Sequence, residues 1–154
     1  MAYEENQINE PVTEWVTFHL LDEKYAVNVT HVREVLKNTN ISAVPGAPYF
    51  VLGIINLRGN IVTVIDTHSR LSLDSSEPTD ATRIVVVDMD GQVVGMMVDK
   101  VDEVVILKDS EIDYAPNVGN DDSSNFIHGV SQRENELLIL VDLDKMLALD
   151  QYRG

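Results

Sequence analysis

The sequence predicts a mainly β protein built from two copies of one small unit. Three observations carry that expectation: the apolar runs are short and β-branched, turn residues separate them at hairpin spacing, and one set of motifs occurs twice. At 154 residues and 44% hydrophobic composition, the chain can bury enough surface to fold as a domain.

Residues Met1 to Val12 are polar and acidic and include Pro11, which predicts a mobile arm over 1–12. The folded region is expected over 13–149. Its candidate strands are Trp15 to Leu21, Tyr25 to Val29, Phe50 to Leu57, Ile61 to Ile65, Ile84 to Met89, Val93 to Val98, Val101 to Leu107, Phe126 to Val130 and Leu137 to Val141. Asp22-Glu23, Arg58-Gly59-Asn60, Asp90-Gly91 and Glu134-Asn135-Glu136 join neighbouring runs as hairpins. Two short helices are expected. Thr30 to Leu36 places apolar residues three and four apart, and Asp142 to Leu147 does so behind an N-cap aspartate.

The duplication is explicit in the residues. At a spacing of 69, Trp15, Val16 and Phe18 fall on Ile84, Val85 and Val87, and Val29, Val32, Glu34 and Val35 recur as Val98, Val101, Glu103 and Val104. At a spacing of 76, Phe50, Gly53, Asp66 and Leu71 recur as Phe126, Gly129, Asp142 and Leu147. The spacing changes because a longer loop, Asp113 to Asn125, follows in the second half. One barrel is expected over about 14–73 and the other over about 82–149, sharing an apolar interface because each half alone is marginally small.

Composition narrows the function. Asp plus Glu number 26 against 11 Lys plus Arg, a formal charge of -15. That charge repels a phosphate backbone and an anionic membrane surface, so neither nucleic acid nor direct membrane binding is expected. The imbalance is uneven: nine acids and five bases precede Ser76, and 17 acids and six bases follow from there. The acidic surface is therefore expected on the second barrel and its Asp113 to Asn125 loop. Absence of cysteine removes disulfides, thiolate catalysis and Cys-ligated metals. With no signal-like start and no long apolar run, a cytoplasmic protein is expected.

No catalytic group stands out. Asp66 and Asp142 each follow an apolar strand and precede a helical turn, which reads as capping rather than as a carboxylate pair. His19, His31, His68 and His128 are scattered without metal-ligand spacing. Asp88, Asp90, Asp121 and Asp122 lack the glycine and terminal glutamate of a calcium loop, leaving a small acidic metal-binding protein as a minor alternative. Met89, Met96, Met97 and Met146 read as core filling. Arg58, in a tight turn ahead of Gly59, is more specific. It can pair with a carboxylate such as Glu34 or present itself to a partner.

The stretch Gly53-Ile-Ile-Asn56-Leu-Arg58-Gly59, followed by an apolar strand to Asp66, resembles the G-x-x-N-L-R-G element of the CheW family of bacterial chemotaxis coupling proteins. Val32-Arg-Glu34-Val35, Val93 to Val101 and Leu137 to Leu147 agree with it. The resemblance implies two SH3-like five-stranded β-barrels and a non-enzymatic adaptor without cofactor or metal. Its partners would be the regulatory domain of the histidine kinase CheA and the cytoplasmic tip of methyl-accepting chemoreceptors, met in membrane-associated arrays. Carried over position by position, Val32, Glu34, Gly53, Arg58, Gly59, Ile84, Gly95, Val101 and Val104 match the family's coupling positions; Asn56 of the motif and Val35, an apolar contact, are added to the expected partner-binding residues. A coupler of another receptor pathway, in pili motility or second-messenger signalling, is the alternative. The chain departs from the family at Thr63, where a strand proline is common, and at Thr67-His68. A strand proline belongs at an edge or bulge, so that strand is expected at a sheet edge.

Overall fold

The chain runs β1 (Val12–Leu20), β2 (Glu23–Asn28), the 3-10 turn η1 (Val29–His31), β3 (Val32–Lys37), β4 (Val51–Leu57), β5 (Asn60–Asp66) and α1 (Thr67–Arg70). It continues through β6 (Arg83–Met89), β7 (Gln92–Val98), β8 (Lys100–Lys108), the 3-10 turn η2 (Asp109–Glu111), β9 (Ile127–Arg133), β10 (Glu136–Val141) and α2 (Leu143–Met146). The computed structural model describes residues 10–37, 39–114 and 126–148. Most of the expected N-terminal arm and the greater part of the Asp113 to Asn125 loop lie outside these. The last arm residues are tied down: Asp109 N–H donates to the Pro11 carbonyl at 3.0 Å, and β1 starts at Val12.

Turn chemistry sets the pairing. Arg58-Gly59 and Asp90-Gly91 take positive φ at both positions, 51° and 88°, 54° and 89°, a twist that matches paired strands. All four expected hairpins form.

The strands assort into two five-stranded sheets, sheet one in the order β8-β1-β2-β10-β9 and sheet two in the order β3-β6-β7-β5-β4. Under the repeat, β1, β2 and β3 correspond to β6, β7 and β8, and β4 and β5 to β9 and β10. The two orders are then the same. The register agrees residue for residue: Val16↔Val104 answers Val85↔Val35, Gly53↔Val64 answers Gly129↔Leu140, and parallel Thr63↔Val94 answers Ile139↔Tyr25.

Each sheet therefore takes a hairpin from one repeat and three strands from the other. Barrels over about 14–73 and 82–149 do not describe this arrangement. The crossings are short: η1 alone carries the chain from sheet one to sheet two, and Asp99 alone returns it. Two further expectations are corrected. Thr30 to Leu36 is not helical, because after η1 the residues pair with β6 as β3, alternately half-buried and exposed. Thr63 is not on an edge strand, because β5 lies between β4 and β7. The helices expected behind Asp66 and Asp142 do form, each aspartate accepting a backbone N–H from the first turn.

Each sheet closes on itself. The backbone beyond β3 bridges β4 at Ser42↔Ile54, and that beyond β8 bridges β9 at Asp113↔Val130. Both bridges pass a glycine. A Cβ on Gly53 would stand 2.1 Å from the Ser42 carbonyl oxygen, and one on Gly129 2.8 Å from that of Asp113. The largest apolar cluster lies between the sheets, where Phe18, Val27 and Val16 face Val87, Met96 and Val85. Complete burial of each such side chain contributes about 1.5–3 kcal/mol. Smaller clusters fill each barrel. Met96 points between the sheets and its neighbour Met97 into sheet two, so both fill core.

Candidate functional site

The Arg58 turn is built by its neighbours. Asn56 Oδ1 accepts the Gly59 N–H at 2.9 Å, holding the turn from below. From it the exposed Arg58 guanidinium crosses to Glu34 on β3, the far edge of the same sheet. Nη1 donates to Glu34 Oε1 at 3.3 Å, and Nη2 donates to Oε2. This hydrogen bond, followed by the Coulomb attraction of Glu34, raises the Arg58 pKa above its ordinary value. Beside the turn an open groove of about 430 Å³ is lined by Arg33, Leu57, Arg58, Ile61 and Val93 among others, and Ile61 is 64% exposed. Val35, at 42%, is exposed on the same edge strand as Glu34. A cation, a carboxylate and bare aliphatic side chains thus share one rim of sheet two.

The expected contact residues divide between this rim and the interior. Glu34, Val35, Asn56, Arg58 and Gly59 belong to the rim. Val32 is half-buried and packs on the core between the sheets. Val101 and Val104 are the repeat counterparts of Val32 and Val35, on edge strand β8 of sheet one, and Val104 is 51% exposed. Ile84 is 0% exposed, and a Cβ on Gly95 would meet its Cγ2 at 2.8 Å, so neither presents a side chain to a partner. Gly53 serves the barrel closure. Ile61 was not singled out by sequence; its place directly after the motif turn is the signal for it, and from Val62 onward the strand is buried or half-buried.

Sheet one carries the opposite character at the matching place. Glu103 stands where sheet two has Glu34, and Glu134 where it has Arg58. Glu103 turns instead to Lys24, whose Nζ donates to it at 2.8 Å and lies 3.0 Å from Glu136 and 3.5 Å from Asp102. Burial opposes the Lys24 charge, but the hydrogen bonds to Glu103 and Glu136 outweigh it and raise the pKa above the ordinary lysine value. Hydrogen bonds with Glu103 and His19, aided by Lys24, hold the Asp102 carboxyl well below the usual carboxylate range.

The two shifts define a pH window. The Lys24 contribution to stability is complete below its unfolded value, about 10.5, and is lost as pH rises through the raised one. The Asp102 contribution is complete above its unfolded value, about 4, and is lost as pH falls toward the lowered one. In melting temperatures recorded from neutral pH downward, Asp102→Asn is expected to flatten the decline below about pH 4. An unchanged acid limb would remove Asp102 from the account.

Asp88 accepts the Gly91 N–H at 2.9 Å within the β6–β7 hairpin and pairs with Arg33 on the neighbouring strand β3 at 3.2 Å, both structural roles. Asp121 and Asp122 lie outside the described residues. Among the described residues no group of three or more acids and histidines is placed to hold a metal ion, and no helix is long and apolar enough to cross a membrane.

The model of the CheW-like domain matches residues 14–151. The chemotaxis protein CheW of Rhizobium meliloti is 33% identical over 138 residues, 90% of this chain and 89% of that protein. The CheW protein of Bacillus subtilis is 35% identical over 132 residues, 86% and 85% of the two chains. Among solved structures, the scaffolding protein TtCheW from Thermoanaerobacter tengcongensis superposes with a TM-score of 0.79 at 32% identity, covering 85% of this chain and 89% of that one.

Proposed function

The chain belongs to the CheW family of chemotaxis adaptor proteins, and on that premise we propose that it couples methyl-accepting chemoreceptors to the histidine kinase CheA by binding both at once. It acts by binding rather than by catalysis, in the cytoplasm at membrane-associated receptor arrays. The rim of sheet two, with Glu34, Val35, Arg58 and the groove beside Ile61, is one docking surface. The edge of sheet one at Val101 and Val104 is a second. Gly53, Ile84 and Gly95 act through packing, and Asn56 and Gly59 through the turn.

The single observation that carries this reading is the backbone of Arg58. It holds φ of 51°, a region that costs an ordinary side chain about 1–2 kcal/mol and that asparagine enters more readily. Asparagine followed by glycine suits this turn better than arginine does. Arginine is retained at a conformational cost, with its guanidinium exposed, as a contact residue would be. Exposed ion pairs add little to stability, so the pair with Glu34 offers the fold little in return.

Stability and coupling should therefore separate at this position. Arg58→Asn is expected to hold or raise the melting temperature and Arg58→Glu to leave it within about 3 °C, the effect of one surface pair. Both should abolish kinase activation in a mixture of receptor, CheA and this chain. Activation retained by both variants would exclude Arg58 as an anchor.

A further inference from the structure

At the end of sheet one near η2 and α2 lies a second cavity, of about 230 Å³. Trp15, His128 and Tyr114 line it, with Ile112 behind and Asp142 and Asp144 at the start of α2. The Trp15 and His128 ring centroids are 6.0 Å apart, and Tyr114 meets His128 edge to face at 5.3 Å. Two of the rings are held by their polar ends. The Trp15 indole N–H donates to Thr13 Oγ1 at 2.7 Å, and the Tyr114 hydroxyl donates to Asp109 Oδ1 at 2.5 Å. Asp144 and His128 are exposed, and Tyr114 is about half exposed. None of the lining residues is lysine or arginine.

The fold does not require this cluster. At the repeat-equivalent places sheet two has Ile84 for Trp15 and Leu52 for His128, within the same strand order and register. Aromatic rings beside two carboxylates, in a cavity sized for one side chain, suit a cation. A guanidinium suits them best, since it is planar, weakly hydrated, stacks on rings and pairs with carboxylates through two hydrogen bonds. The chain's charge of -15 favours approach of a basic partner. We propose that this cavity receives an arginine side chain presented by a protein partner. The inference stands apart from the coupling role: its failure would leave that reading intact.

Trp15 is the only tryptophan in the chain and so reports on the cavity directly. The full chain would be titrated with acetyl-Gly-Arg-Gly-amide at fixed ionic strength, following tryptophan fluorescence and amide and indole NMR shifts. A saturable response centred on Trp15, Tyr114 and His128 is expected, with the citrulline analogue at least about tenfold weaker because it lacks the charge. Tyr114→Ala and Asp144→Asn should each weaken binding about fivefold. A non-saturable response, equal binding of the citrulline peptide, or affinity unchanged in both variants would overturn the proposal. A lysine peptide binding as tightly as the arginine one would overturn the choice of arginine.

Discussion

Replacing Arg70 with alanine is expected to lower the melting temperature by roughly 10 °C. Arg70 is 2% exposed, at the end of α1 where the two repeats meet. Its guanidinium carbon lies 4.6 Å from the Phe50 ring centre and 4.7 Å from that of Phe126, and Nε donates to the Met146 carbonyl at 2.6 Å. Phe50 and Phe126 are repeat counterparts, and Met146 is the counterpart of Arg70 itself. The side chain therefore sits on the local twofold between the sheets. Desolvated cation–π contacts contribute about 2 kcal/mol, and a buried carbonyl left without a donor costs about 1–3 kcal/mol. A loss of about 3–5 kcal/mol at about 2–4 °C each gives the expected shift. Lysine should not restore it, because an ammonium cannot lie flat between two rings. Scanning calorimetry checks both variants. An alanine variant melting within about 2 °C of the parent would show that the contact between the sheets does not depend on Arg70.

Gly53→Ala should be as damaging, for a reason unrelated to side-chain contacts. The backbone there has φ of 150°, and the new Cβ would lie 2.1 Å from the Ser42 oxygen and 2.7 Å from its carbonyl carbon. Room can come only from opening the Ser42–Ile54 bridge, with hydrogen bonds of 2.9 and 2.8 Å. Two lost hydrogen bonds and the strain of overpacking amount to about 3 kcal/mol or more. Gly129→Ala is the internal control: its nearest atom is 2.8 Å away, so a milder effect is expected. Equal melting of the two variants in circular dichroism would contradict the closure described. Any coupling defect of Gly53→Ala is then a loss of the barrel rather than of a contact.

What the sequence made legible was local. Turn dipeptides, capping aspartates and the recurring apolar pattern each act over a few residues, and the hairpins, the helical turns capped by Asp66 and Asp142 and the duplication follow from them. Which sheet a strand joins is not local. Nothing in Val29 to His31 distinguishes a turn back into the same sheet from a crossing into the other, so the hairpin exchange stayed hidden. β3 was obscured by Glu34, a polar residue on the half-buried side, which breaks the alternation that would have marked a strand. The motif turn was legible in the candidate site because its residues are contiguous. The burial of Ile84 and Gly95 was not, since it depends on packing across strands. Arg70 had a usable signal in the repeat: its counterpart is Met146, and a charged residue at a position apolar in the other copy is a candidate buried charge.

The central claim is that this chain joins receptor and kinase by holding both, with the Arg58 rim as one contact. Its most direct test is sedimentation of receptor-containing membranes with soluble CheA. The kinase should pellet with the receptor only when this chain is added, and Arg58→Glu should leave it in the supernatant. Kinase that pellets equally without the chain, or equally well with Arg58→Glu, would contradict it.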